Sequence, residues 1–196
     1  MSEQEQYKFL ADLKSLAVND FWFTYQRLGI QRDGHAAFQN NRTGYFEFFL
    51  SGPNQIGKSF LALDILMDGW TRRNEFRDWG DEPLFFLWMC PKYDFQRATI
   101  QANLLKYCGQ FLKENLAAPP SLKGAGGAWN FLQFKNGDVL YFESFEVDKK
   151  HIEGFVADAV FLDEGQQKFD YFQAVTQRAV TRKAPVIWMM IPDSKS

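Results

Sequence analysis

An α/β fold, with a mostly parallel central sheet, helices on both faces and one added β-hairpin, follows from three features of the sequence. The first is a set of short continuous apolar runs, at residues 45–50, 84–90, 159–162 and 185–191, of the kind that parallel strands buried on both faces require. The second is the helical periodicity between them, over 60–70, 95–116 and 169–180. In the longest of these, Ile100, Leu104, Leu105, Cys108, Phe111 and Leu112 share one side. The third is a pair of alternating segments, 130–134 and 139–145, joined through Asn136-Gly137, which reads as a hairpin because both residues tolerate the turn's positive φ. Residues 117–128, with two prolines and three glycines, read as a loop.

The first strand runs into Gly52-Pro53-Asn54-Gln55-Ile56-Gly57-Lys58-Ser59, which fits the phosphate-binding loop pattern of Gly, four residues, then Gly-Lys-Ser. Glycines let the main chain wrap its N–H groups around an anion, and the following helix adds the positive end of its dipole. Lys58 is expected to reach the β- and γ-phosphates of ATP, and the Ser59 hydroxyl to ligate the Mg²⁺ that accompanies them. Phe60, the next residue, completes the expected nucleotide-binding set.

The third apolar run ends in two carboxylates, Asp163 and Glu164. Ligands of open α/β sheets bind at the carboxyl ends of strands, where these acids would emerge. Asp163 is expected to hold Mg²⁺ with Ser59 or through water, and Glu164 to polarise the attacking water as general base. A lone Asp-Glu pair is ordinarily a solvated strand end, but a phosphate-binding loop upstream favours hydrolysis. A P-loop NTPase fold over 45–196 follows, preceded by a helical and loop segment, 1–44, that packs on the core. Within it Tyr7, Leu10, Leu13 and Leu16 recur at helical spacing over 3–18, residues 19–28 are aromatic, and 29–44 are loop-like.

Composition excludes several classes. With 196 residues, 46% of them hydrophobic and 21 Phe, the chain can build a large core and is not disordered. A net charge of −2 is unlike a free-standing nucleic-acid binder, so DNA contact would be local. No run of 18 apolar residues and no leader pattern is present, so neither a membrane span nor secretion is expected. Cys90 and Cys108 read as reduced cytosolic cysteines, and His35 and His151 lack metal-ligand spacing.

These residues together resemble the ATPase domain of the large terminase subunit of tailed double-stranded-DNA bacteriophages, over about residues 39–193. The resemblance rests on Pro53-Asn54-Gln55 ahead of Ile56-Gly57-Lys58-Ser59, and on the Gln-containing helix after the second strand. It rests also on the ordered run Asn136-Gly137-Asp138-Val139, Phe142 to Ser144, Gly154, then Phe161-Leu162-Asp163-Glu164. It implies an ATP-driven motor that moves double-stranded DNA into a procapsid in the host cytoplasm. The implied partners are the portal protein, the small terminase subunit and further copies in a ring, with a monomer in isolation. The family's adenine-contacting Gln has candidates in Gln31 and Gln39. Its coupling motif, small hydroxyl residues then Pro, corresponds to Met190-Ile191-Pro192-Asp193-Ser194, where only the proline matches. The nuclease domain that would follow is absent from this chain, and Asp158, Asp170 and Asp193 make no two-metal set, so no nuclease activity is expected.

Arg178 and Arg182, four residues apart on one helical face, are candidates for an arginine donated to a neighbour's active site, against an ordinary cationic helix C-terminus. Lys149-Lys150-His151 reads as an exposed turn. Two other functions compete: a helicase-like ATPase, which needs a second motor domain, and a P-loop small-molecule kinase or nucleotide switch, which needs an arginine-rich lid.

Overall fold

A computed structural model describes residues 38, 46–51, 58–123, 127–147, 156–163 and 169–190. The N-terminal stretch expected to be helical, residues 52–57, Glu164, Gln31, Gln39, residues 148–155 and residues 191–196 lie outside the described set.

Strand β1 (Phe46–Ser51) precedes helix α1 (Lys58–Thr71), and β2 (Phe85–Cys90) precedes a long helical stretch. That stretch comprises α2 (Tyr93–Gln96), a π-helical turn (Arg97–Gln101) and α3 (Ala102–Asn115). Three strands follow, β3 (Ser121–Lys123), β4 (Ala128–Gln133) and β5 (Val139–Ser144), then β6 (Ala159–Asp163), α4 (Phe169–Thr181) and β7 (Pro185–Met190). The seven strands form one sheet in the order β1-β7-β6-β2-β5-β4-β3. The first four neighbouring pairs are parallel, and β4 and β3 add on antiparallel at one side.

Successive side chains of a strand point to opposite faces, and both faces here are apolar. Leu50, Phe86, Trp88, Leu140, Phe142, Phe161, Ile187 and Met189 share a core with Leu61, Ile65, Leu66 of α1 and Leu104, Cys108, Leu112 of α3. Leu87, Met89, Val160, Leu162, Val186 and Trp188 pack with Val175 and Ala179 of α4 on the other face. Helix α1 lies unusually close to the sheet, since a Cβ added at Gly69 would fall 2.6 Å from the Phe86 ring. Phe38 has helical geometry within the stretch expected to be loop, and it is fully buried, edge-on to Phe48 and Phe76.

Two buried carboxylates fix the connections. Asp68 of α1 accepts from the Glu75 and Phe76 backbone N–H groups at 2.8 and 3.0 Å and from Trp79 Nε1 at 2.7 Å, which folds the charged connection back onto its own helix. Asp138 follows Gly137, whose φ of 91° is what the hairpin turn demands. It accepts two bonds from Arg72 at 2.9 and 2.8 Å and one from the Leu84 N–H at 2.8 Å. The hairpin is thereby tied to the end of α1 and the start of β2.

The structure corrects two readings. Residues 121–123 form a strand in what read as pure loop, paired irregularly with β4. The helix expected over 95–116 contains a π turn, and the reason is polar: Gln101 donates to the Trp129 carbonyl and accepts from the Trp129 N–H at 3.3 and 3.0 Å. Its side chain substitutes there for a neighbouring strand.

Candidate functional site

The register of the parallel strands places the site. Leu50 of β1 is level with Met189 of β7, and Met189 is level with Asp163 of β6. The end of the strand that enters loop 52–57 and the carboxylate that ends β6 therefore stand at the same height, one strand apart. Strand spacing puts them about 10 Å from each other across the sheet. Asp163 is 7% exposed, and it falls on the same face as Leu50 and Met189, the face that α1 covers.

Helix α1 begins at Lys58. Lys58, Ser59 and Phe60 are half-buried in its first turn, where unsatisfied backbone N–H groups favour an anion. Phe60 is held edge-on against Tyr107 of α3, ring centres 4.9 Å apart. A hydroxyl on a helix N-terminus and a carboxylate on a strand end are hard oxygen donors, the set that suits Mg²⁺. The end of β1 and Asp163 thus stand level at one end of the sheet.

The arginines lie elsewhere. Helix α4 runs from the Asp163 end of the sheet back to the start of β7, so Arg178 and Arg182 come at its far end. The Arg178 side chain lies outside the described set. Arg182 Nη1 is 3.8 Å from Asp158 Oδ1. Asp158 in turn accepts from the Phe85 N–H at 2.9 Å, at the opposite end of β6 from Asp163. Arg77 belongs to this lower edge too and donates to the Lys183 carbonyl at 2.9 Å. Burial lowers the pKa of its guanidinium, and the charges of Asp158 and Asp78 work against that shift. Arg182 is therefore not brought to its own subunit's Asp163.

Polar residues at the carboxyl ends of the strands also include one that sequence reasoning passed over. Glu143 of β5 is buried and accepts from the Tyr93 hydroxyl at 2.5 Å. The weak signal was a carboxylate near the end of an alternating strand, level with Met89 of β2. Both Cys90 and Cys108 are buried and neither is in a disulfide.

The parallel sheet, the helix that opens after β1 and the carboxylate ending β6 define a P-loop NTPase fold. The chain belongs to the T4likevirus-type terminase large subunit family, whose N-terminal family model matches residues 49–194. Among solved structures, the ATPase domain of the Thermus phage P74-26 large terminase, in an arginine-to-alanine mutant, superposes with a TM-score of 0.57 at 17% identity, covering 88% of this chain and 68% of that one. The large terminase of a thermophilic bacteriophage, in complex with ADP, gives 0.53 at 17% identity and covers 82% of this chain. This chain spans 37% of that terminase's length. At such identities the likeness establishes the fold. A comparison with curated proteins gives no match.

Proposed function

We propose that this chain is the ATP-hydrolysing motor domain of a viral DNA-packaging terminase, translocating double-stranded DNA into a procapsid. The observation that carries the proposal is the common height of Leu50, Met189 and Asp163, with the end of the loop-bearing strand and the acidic strand end one strand apart. Family membership and the ADP-bound structural neighbour support the same reading.

When bound, Mg²⁺-ATP supplies the γ-phosphoryl group and partial neutralisation of its charge. The chain's residues have separate tasks. The loop Gly52-Pro53-Asn54-Gln55-Ile56-Gly57, through the backbone N–H groups of all its residues but the proline, binds the phosphates together with the first turn of α1 at Lys58, Ser59 and Phe60. Lys58 Nζ would offer its cation to the β- and γ-phosphates, and Ser59 and Asp163 would hold the Mg²⁺ that helps neutralise them. Glu164, the residue after Asp163, accepts a proton from the attacking water. Gln31 or Gln39 contacts the adenine. Arg178 or Arg182 acts only on a neighbouring subunit's site, consistent with the position of Arg182 at the lower edge of its own sheet. The partners are double-stranded DNA, the portal protein, the small terminase subunit and further copies in a ring, in the host cytoplasm. Among the described residues no helix is long and apolar enough to cross a membrane. DNA cutting is assigned to sequence beyond this domain.

Measurement of ATP turnover with and without Mg²⁺, double-stranded DNA and empty procapsids tests the proposal. Turnover that needs Mg²⁺ and rises with procapsids supports it. Phosphoryl transfer to a small molecule without hydrolysis would replace the motor with a kinase.

A further inference from the structure

Helices α1 and α3 each return along the sheet after a parallel strand, so they run in the same direction, and both pack on the face that carries Asp163. They meet through aromatic side chains at two places about 15 Å apart along α1. At the C-terminal end of α1, Trp70 is 4% exposed. It stacks on Phe111 with ring centres 6.0 Å apart and tilts against Phe134 at 4.5 Å. At the N-terminal end Phe60 meets Tyr107 edge-on, at 4.9 Å and 62°. Lys106 Nζ, 4.7 Å from the centre of the Tyr107 ring, adds cation–π attraction there.

The two ends have different needs. A buried tryptophan anchors the C-terminal end. The first turn of a helix has N–H groups without intrahelical partners, and helix ends open most easily. Lys58, Ser59 and Phe60 in that turn are only half-buried. A turn that binds phosphate must still hold its N–H groups and the Ser59 hydroxyl in place beforehand, because ordering them on binding costs affinity. Phe60 follows Ser59 directly, so a contact that fixes its ring fixes the turn. Tyr107 is on a helix that is itself secured. α3 buries Leu104, Cys108 and Leu112 in the core, and Gln101 just before it bonds both the N–H and the carbonyl of Trp129.

We propose that Tyr107 is a positioning residue for the phosphate-binding turn, holding the first turn of α1 through Phe60 in the geometry that phosphate requires. Tyr107 acts through Phe60 and not by contact with the phosphates. The inference rests on the nucleotide-binding reading above and adds to it a residue from a different helix.

The test uses the full chain, with Mg²⁺-ATP and Mg²⁺-tripolyphosphate as ligands in titration calorimetry; the second presents phosphates without a base. An edge-to-face aromatic pair is worth about a three- to tenfold change in an equilibrium constant. Tyr107→Ala should weaken both ligands by about that factor, with kcat at saturating Mg²⁺-ATP unchanged, because the phosphates are held alike in ground and transition states. Tyr107→Phe keeps the ring and should bind both as the native chain does. Phe111→Ala removes the aromatic contact at the other end of α1 and should lower the thermal midpoint while leaving both affinities unchanged. In ligand-free Tyr107→Ala, amide exchange over 61–64, whose N–H groups close the first turn, should quicken by about tenfold while 66–70 stay protected. Native affinities or native exchange in Tyr107→Ala would overturn the proposal. So would equal weakening by Phe111→Ala, which would make the effect one of general packing. A loss confined to Mg²⁺-ATP would overturn it too, since the ring pair would then serve the base. All of these outcomes leave the nucleotide reading standing, whereas a native chain that binds neither ligand would remove that reading and this inference with it.

Discussion

Asp138→Ala should be among the most destabilising single substitutions in this domain, although it lies in a hairpin turn far from the proposed site. The Asp138 side chain is 1% exposed and its partner Arg72 is 22% exposed. Removing one member of a buried ion pair costs on the order of 3–5 kcal/mol. Arg72 retains the Gly69 and Glu82 carbonyls as acceptors, so the cost falls below that range, to about 2 kcal/mol for the pair. The Leu84 N–H, which Asp138 holds at 2.8 Å in a buried position, loses its acceptor. That adds about 1–3 kcal/mol. The total is about 3–5 kcal/mol, a large part of the 5–15 kcal/mol that holds a typical domain together. Urea unfolding followed by circular dichroism should show a midpoint lower by about 1–2 M with an unchanged slope. Asp138→Asn should lose roughly half as much, since its carbonyl can still accept while its amide opposes the Arg72 donors. A loss below about 1 kcal/mol for the alanine variant would refute the claim that this carboxylate ties hairpin, α1 and β2 together.

Four further outcomes are expected. Lys58→Ala should abolish ATP hydrolysis while leaving circular dichroism and unfolding unchanged, and normal turnover in the folded variant would overturn the loop assignment. Asp163→Ala should weaken nucleotide binding in the presence of Mg²⁺ but much less in EDTA, as read by titration calorimetry; equal loss in both would remove its metal role. Gly137→Val should cost about 1–3 kcal/mol, because it forces a branched side chain to φ 91° and sets a Cβ 3.1 Å from Pro83; thermal unfolding checks this. Mixing Lys58→Ala subunits with Arg178→Ala or Arg182→Ala subunits should restore some turnover if an arginine acts between subunits, whereas additive residual rates would exclude donation.

The fold was legible in the sequence where a local signal existed. Asn136-Gly137 between alternating segments announced the β4–β5 hairpin, and continuous apolar runs announced β1, β2, β6 and β7. β3 was not legible, since its three residues lie among prolines and glycines and its pairing shifts register. The π turn was equally hidden, because Gln101 acts through the Trp129 backbone, 28 residues away in sequence. Strand order has no local signature in a parallel sheet, so the insertion of β7 between β1 and β6 emerges only in three dimensions. The same limit applied at the site. The start of α1 at Lys58 and the end of β6 at Asp163 could be read from motif and apolar run, whereas Arg182 fitted a helix terminus slightly better than catalysis. Its Asp158 partner, which a strand start positions, was beyond periodicity to foresee.

Phosphate release from Mg²⁺-ATP by the native chain and by Glu164→Gln, across a range of protein concentrations and with empty procapsids, tests the central claim most directly. The account predicts a weak native activity whose specific rate rises with concentration or procapsids, because an arginine supplied by a neighbour is worth on the order of 10³–10⁵ in rate. It predicts that Glu164→Gln binds Mg²⁺-ATP as the native chain does and loses most of that turnover. Equal turnover by the two proteins, high and flat with concentration, would contradict it.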